Sequence, residues 1–138
     1  MRPARRMVCA LPGERGGMTD TCFDTGIIVD TLSGHHQAVA ELRRVKRPWI
    51  SRITWLEVMA QVPLACREET ERFLANFAIR EVTPEIARRA ASLKAERPAL
   101  SLPAALVFAS AQEHGAILVT RNSAEFPANI PGIRIPYR

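Results

Sequence analysis

Short apolar runs alternate along this chain with longer amphipathic ones, the pattern of parallel strands connected by helices. Thr21–Asp24 reads as a first strand, followed by a short helix over Gly26–Leu32. A second helix spans His35–Val45, with Val39, Leu42 and Val45 on one face and Glu41, Arg43 and Arg44 turned to solvent. Pro48–Ser51 is a second strand, with Pro48 at the first position where proline is tolerated. Ile53–Val62 carries a stripe of Ile53, Leu56, Met59 and Ala60 and is ended by Pro63. Glu68–Phe77 is a further helix with Phe73, Leu74 and Phe77 inward, and Ile79–Val82 a third strand.

Thr83-Pro84-Glu85 places a capping hydroxyl and an N-terminal proline at a helix start, with Ile86, Ala90 and Leu93 on the buried stripe and a stop before Pro98. Pro103–His114 is apolar nearly all round, which marks a central buried helix, and Gly115 closes it. Ala116–Thr120 is a fourth strand of the sheet interior, Asn122–Phe126 a turn, and Ile133–Ile135 a short last strand. The 138 residues suffice for one core.

Composition narrows the class without deciding it. No run reaches the roughly 18 apolar residues of a membrane span. The formal net charge is +5, but residues 1–18 hold Arg2, Arg5, Arg6 and Arg15 against Glu14, so the remainder is only about +2 and gives no general case for nucleic-acid binding. That stretch lacks the apolar core of a secretory signal and is read as a flexible N-terminal extension, with the domain over 19–138. Cys9, Cys22 and Cys66 have no metal-ligand spacing and read as reduced cytosolic thiols acting as small apolar residues.

Candidate chemistry centres on Asp24, a carboxylate at a strand end, where open α/β sheets present ligand groups. Two roles stand open for it, helix cap and ligand. Asp30 is expected to face solvent. Glu57 lies in apolar company, where an acid needs a partner or a metal, yet Thr54-x-x-Glu57 also fits a capping box. Thr120, Arg121, Asn122 and Glu125 follow a buried strand as a polar cluster, either a site or a polar turn. His35, His36 and His114 show no convergence and read as surface or helix-end residues.

Four blocks in order, Phe23–Asp30, Ser51–Val58, Leu102–Ala111 and Leu118–Phe126, resemble a PIN domain of the VapC toxin type. The resemblance spans about residues 20–136. It implies an α/β/α sandwich with a central parallel sheet of four or five strands, and an acid cluster binding Mg²⁺ or Mn²⁺ for endoribonuclease activity. It further implies a cognate antitoxin, a homodimer, and no membrane. On it Asp24, Glu57 and Glu125 match metal-binding acids, Thr120 and Asn122 support them, and Arg121 contacts RNA. Ala104 stands where the family carries an aspartate. The expectation is therefore a ribonuclease with one acid missing, with a catalytically degenerate module binding RNA or a protein partner as the alternative.

Overall fold

The computed structural model describes residues 20–127 and 129–138, so the expected N-terminal extension lies outside the described residues. Its five strands are β1 (Thr21–Phe23), β2 (Pro48–Ser51), β3 (Ala78–Arg80), β4 (Ile117–Val119) and β5 (Ile133–Arg134). The helices are α1 (Thr25–Leu32), α2 (His36–Arg43), α3 (Arg52–Gln61), α4 (Arg67–Leu74), α5 (Pro84–Glu96) and α6 (Leu102–Glu113), with a 3₁₀ turn over Leu64–Cys66. All pairings are parallel and the strand order is β3-β2-β1-β4-β5. The chain winds from β1 to one edge, then returns through α5 and α6 to the other side of β1. The switch point lies between β1 and β4.

Alternation along the strands feeds two cores. Phe23, Ile50 and Val119 meet Ile27, Ile28, Leu42, Val58, Phe73 and Leu74 on one face. Cys22, Trp49 and Leu118 meet Ile86, Ala90, Leu100, Ala105, Phe108 and Phe126 on the other. This is the expected three-layer α/β/α sandwich. Among the described residues no helix is long and apolar enough to cross a membrane.

Local chemistry sets the helix ends. Thr83 Oγ1 accepts from the Ile86 N–H at 3.1 Å, with Pro84 at the first helical position. Gly115, at φ +63°, closes α6: its N–H donates to Gln112 O at 3.1 Å and the Ala116 N–H to Ala111 O at 2.8 Å.

Two expected faces are rotated. In α3 the buried residues are Thr54, Val58 and Met59, while Leu56 is 55% exposed and Ala60 is exposed as well. The helix starts directly after β2, with Ser51 Oγ accepting from the Ile53 N–H at 3.0 Å, and that start turns Thr54 toward α1. In α2, Glu41 is buried rather than solvent-facing. Burial pushes its carboxyl up, but two hydrogen bonds from Arg134, at 2.9 and 2.8 Å, and the charges of Arg134 and Arg44 outweigh that and hold it below the usual range. Of the cysteines, Cys22 is core, its thiol pushed well up by burial and then by Asp24, whereas Cys66 is exposed.

Candidate active site

A cleft of about 460 Å³ opens at the carboxyl ends of β1 and β4, where a parallel sheet that switches winding direction leaves a crevice. Asp24 lies one residue past β1. Its N–H donates to Val119 O at 2.9 Å, carrying the sheet pairing up to the cleft floor. Its Oδ1 accepts from the Thr25 N–H at 2.8 Å and its Oδ2 from the Thr120 hydroxyl at 2.6 Å. Of the two roles open to it, Asp24 fills that of the helix cap, and it also lines the cleft.

Thr120 is fully buried, and its Oγ1 accepts from the Asn122 N–H at 3.0 Å while its hydrogen goes to Asp24. Glu57 comes from α3. It is not the capping residue that its spacing allowed, because α3 begins at Arg52 and Ser51 caps it. Instead the Thr25 hydroxyl donates to Glu57 Oε1 at 2.6 Å and also lies 3.3 Å from the buried Thr54 hydroxyl. Thr25 thus ties α1 to α3. It was not anticipated as a site residue, and a contact across 32 residues leaves no local pattern to read.

Glu125 enters from the turn after β4. Oε1 accepts from the Ser101 N–H at 2.8 Å and Oε2 from Asn122 Nδ2 at 3.3 Å, while Arg97 donates to the Glu125 carbonyl. The hydrogen bond from Ser101 and then that from Asn122 hold its carboxyl below the usual range against its partial burial. Asp24 goes the other way: burial pushes its carboxyl up, the bonds from Thr120 and Thr25 oppose this, and the charges of Glu57 and Glu125 add to the rise.

Ala104 lines the same cleft, at the third position of α6, where its N–H donates to Ser101 Oγ at 3.2 Å. Arg121 and Asn122 also line it. Arg121 does not float free: its Nε lies 3.0 Å from Asp30 Oδ2. Asp30 is thus an anchor rather than a solvent-facing charge, and it accepts from the Tyr137 hydroxyl as well, at 2.8 Å. The histidines stay apart from the cleft, His35 capping α2 and His114 ending α6.

Residues 21–128 match the PIN domain. The chain belongs to the PIN domain family. It is similar to a toxin–antitoxin complex from Klebsiella pneumoniae, at 38% identity and TM-score 0.79 over 86% of this chain and 99% of that one. It is also similar to a DNA-bound VapBC from Salmonella typhimurium, at 25% identity and TM-score 0.69 over 86% and 97% of the two chains. FitAcB from Neisseria gonorrhoeae, at 18% identity and TM-score 0.70 over 84% and 97%, shares the fold. Among curated proteins none is matched. Within its family this is a PIN domain of the VapC toxin type.

For this PIN domain the donor set facing the cleft is all oxygen, the kind hard divalent cations take. Asp24, Glu57 and Glu125 all line it. Among the described residues, however, no three acidic, histidine or cysteine side chains close into a ready metal cluster. The methyl group of Ala104 faces the same space.

Proposed function

We propose that this PIN domain is the toxin of a toxin–antitoxin pair and a metal-dependent endoribonuclease, attenuated by the loss of one carboxylate at Ala104. The observation that carries this reading is the convergence of Asp24, Glu57 and Glu125, from three separate elements, on one cleft at the switch point. Like charges already crowd Asp24, and a divalent cation such as Mg²⁺ or Mn²⁺ relieves that crowding. Bound there, the cation would activate a water and neutralise charge developing on the phosphodiester.

Asp24 and Glu57 are the residues that would hold it, directly or through water. Thr120 fixes the carboxylate of Asp24, and Thr25 fixes that of Glu57. Glu125, immobilised by Ser101 and Asn122, supplies the third acid at the start of α6. Arg121 at the mouth offers N–H donors to an RNA phosphate. Leu56 and Leu102, 55% and 56% exposed, are sequence neighbours of the cleft residues Glu57 and Pro103, and suit an antitoxin segment laid over the cleft. A homodimer in the cytosol completes the reading.

A second reading has its own observation. Ala104 presents a methyl group to the cleft where the resemblance calls for an aspartate, and a silent PIN fold would then act by binding RNA or a protein partner. Cleavage of a panel of structured RNAs with Mn²⁺ separates the two, comparing the natural chain with Asp24→Asn and Ala104→Asp. Cutting by the natural chain and none by Asp24→Asn supports the nuclease. Cutting by Ala104→Asp alone overturns it in favour of binding. If all three are silent, absence of Mn²⁺ binding in calorimetry overturns the metal site itself.

A further inference from the structure

The backbone at Arg121 does not by itself determine where a long, five-donor side chain points. Three contacts do. Nε lies 3.0 Å from Asp30 Oδ2, and that same oxygen accepts from the Tyr137 hydroxyl at 2.8 Å. The third is the missing side chain of Gly26, since a Cβ there would stand 2.9 Å from Nε. Tyr137 is itself fixed: it is 8% exposed and its ring stacks on His35 at 4.6 Å, while His35 Nδ1 accepts from the Ala38 N–H at 3.4 Å. A chain of contacts thus runs from the cap of α2 through Tyr137 and Asp30 to Arg121. The terminal nitrogens of the guanidinium, not engaged by Asp30 through Nε, are left for the cleft that Arg121 lines.

We propose that Asp30 and Tyr137 are positioning residues that hold the Arg121 guanidinium at the cleft mouth as a phosphate-binding group for RNA. An ion pair whose arginine is 46% exposed adds little to stability. Fixing an arginine in advance, by contrast, removes rotamer entropy that phosphate binding would otherwise have to overcome. The negative charge of Asp30 weakens attraction for phosphate, so charge and anchoring act in opposite directions. Asparagine and alanine at position 30 separate them: both remove the charge, and only asparagine keeps an oxygen for Nε and the tyrosine hydroxyl.

The test is anisotropy of a fluorescein-labelled mixed-sequence RNA oligonucleotide on the full chain in EDTA, over a salt series. Arg121→Ala is expected to weaken binding about tenfold, the size of one charge-assisted contact, and to lower the salt slope by roughly 0.7. Asp30→Ala should bind several-fold more weakly than Asp30→Asn, and the gap should vanish in the Arg121→Ala background. Tyr137→Phe, which loses only the hydroxyl, should weaken binding and leave the melting temperature nearly unchanged. Equal affinities of the two Asp30 variants, a gap that survives Arg121→Ala, or an unaffected Arg121→Ala would each overturn the proposal. It rests on the functional reading above only in taking RNA as the ligand, and no cleavage is read. A chain that binds with this coupling but never cuts overturns the nuclease and leaves the positioning. One that cuts without the coupling does the reverse.

Discussion

Replacing Gly26 by alanine sets two effects of similar size against each other. Gly26 sits in the first turn of α1 with ordinary helical backbone, since the positive-φ glycines are Gly34, Gly115 and Gly132. Alanine is therefore compatible with the backbone and gains about 0.5–1 kcal/mol over glycine inside a helix. The new Cβ would stand 2.9 Å from Arg121 Nε and 3.2 Å from its Cγ, which forces movement. What yields is a flexible side chain, so the displacement itself is cheap. It breaks the Arg121–Asp30 pair, whose side chains are 46% and 20% exposed, a loss of at most about 1 kcal/mol for a pair so open to solvent. Net stability should change by less than about 1 kcal/mol, or roughly 4 °C in Tm, while RNA affinity falls about tenfold as guanidinium placement is lost. Urea denaturation beside RNA anisotropy reads both. Unchanged affinity refutes the claim that the gap at Gly26 sets the place of Arg121, and a loss above about 3 kcal/mol refutes the claim that its backbone is unstrained.

Asp24→Asn should raise the stability of the metal-free protein at neutral pH. The folded state raises the carboxyl of Asp24 and so binds its proton more tightly than the unfolded chain, which makes stability fall as pH rises through that window. The gain of the asparagine variant over the natural chain should therefore shrink as pH falls through the raised range of folded Asp24 and be gone once pH reaches the unfolded carboxylate range. The Thr120 hydroxyl can turn to accept from the new amide, but its hydrogen then loses the Asp24 oxygen, a cost set against the relief of the buried charge; urea melts across pH that show a less stable variant at pH 7 would count against the burial argument. Ala104→Asp should do the opposite. A fourth acid in the cleft lowers Tm in EDTA, the favourable helix end returning only about 0.3–1 kcal/mol, and excess Mn²⁺ should reverse the sign, by about 2.7 kcal/mol at a hundred times Kd. Thermal melts insensitive to Mn²⁺ would sink that expectation.

The sequence pattern revealed the layers because hydrophobic periodicity reports burial directly. The first and second strands and the helix from Pro84 fell at or within a residue or two of their places, and Thr83, Pro84 and Gly115 acted as their chemistry dictates. What escaped were side chains whose role depends on partners far along the chain. Glu41 reads as a solvated acid until β5 brings Arg134 beside it, 93 residues later. Asp30 reads the same way until Tyr137 arrives. In α3 the buried face mixes Thr54 with Val58 and Met59, and Thr54 and Glu57 meet Thr25, so a stripe drawn from apolar residues alone is rotated off the true one. The position of Asp24 was legible from the strand end, and its hold on Thr120 required the switch in strand order.

That the fold keeps its shape around Ala104 has a local explanation in how α6 begins. A helix start is best served when its capping hydroxyl takes the N–H of the third helical residue and an acid there reaches back to the cap's own N–H. Ser101 performs the first half, accepting from the Ala104 N–H at 3.2 Å. Ala104 has no side chain for the second. Glu125, from the far side of the cleft, supplies it: its Oε1 accepts from the Ser101 N–H at 2.8 Å, and Asn122 holds its other oxygen. A carboxylate therefore still stands at the positive end of α6, delivered by the turn after β4 rather than by the helix itself. Alanine costs the helix start little beyond the small gain an aspartate there would bring, and Glu125 supplies the charge at that corner of the cleft. Fold and chemistry separate at this residue because backbone N–H groups donate to any well-placed carboxylate, whereas a cation counts them.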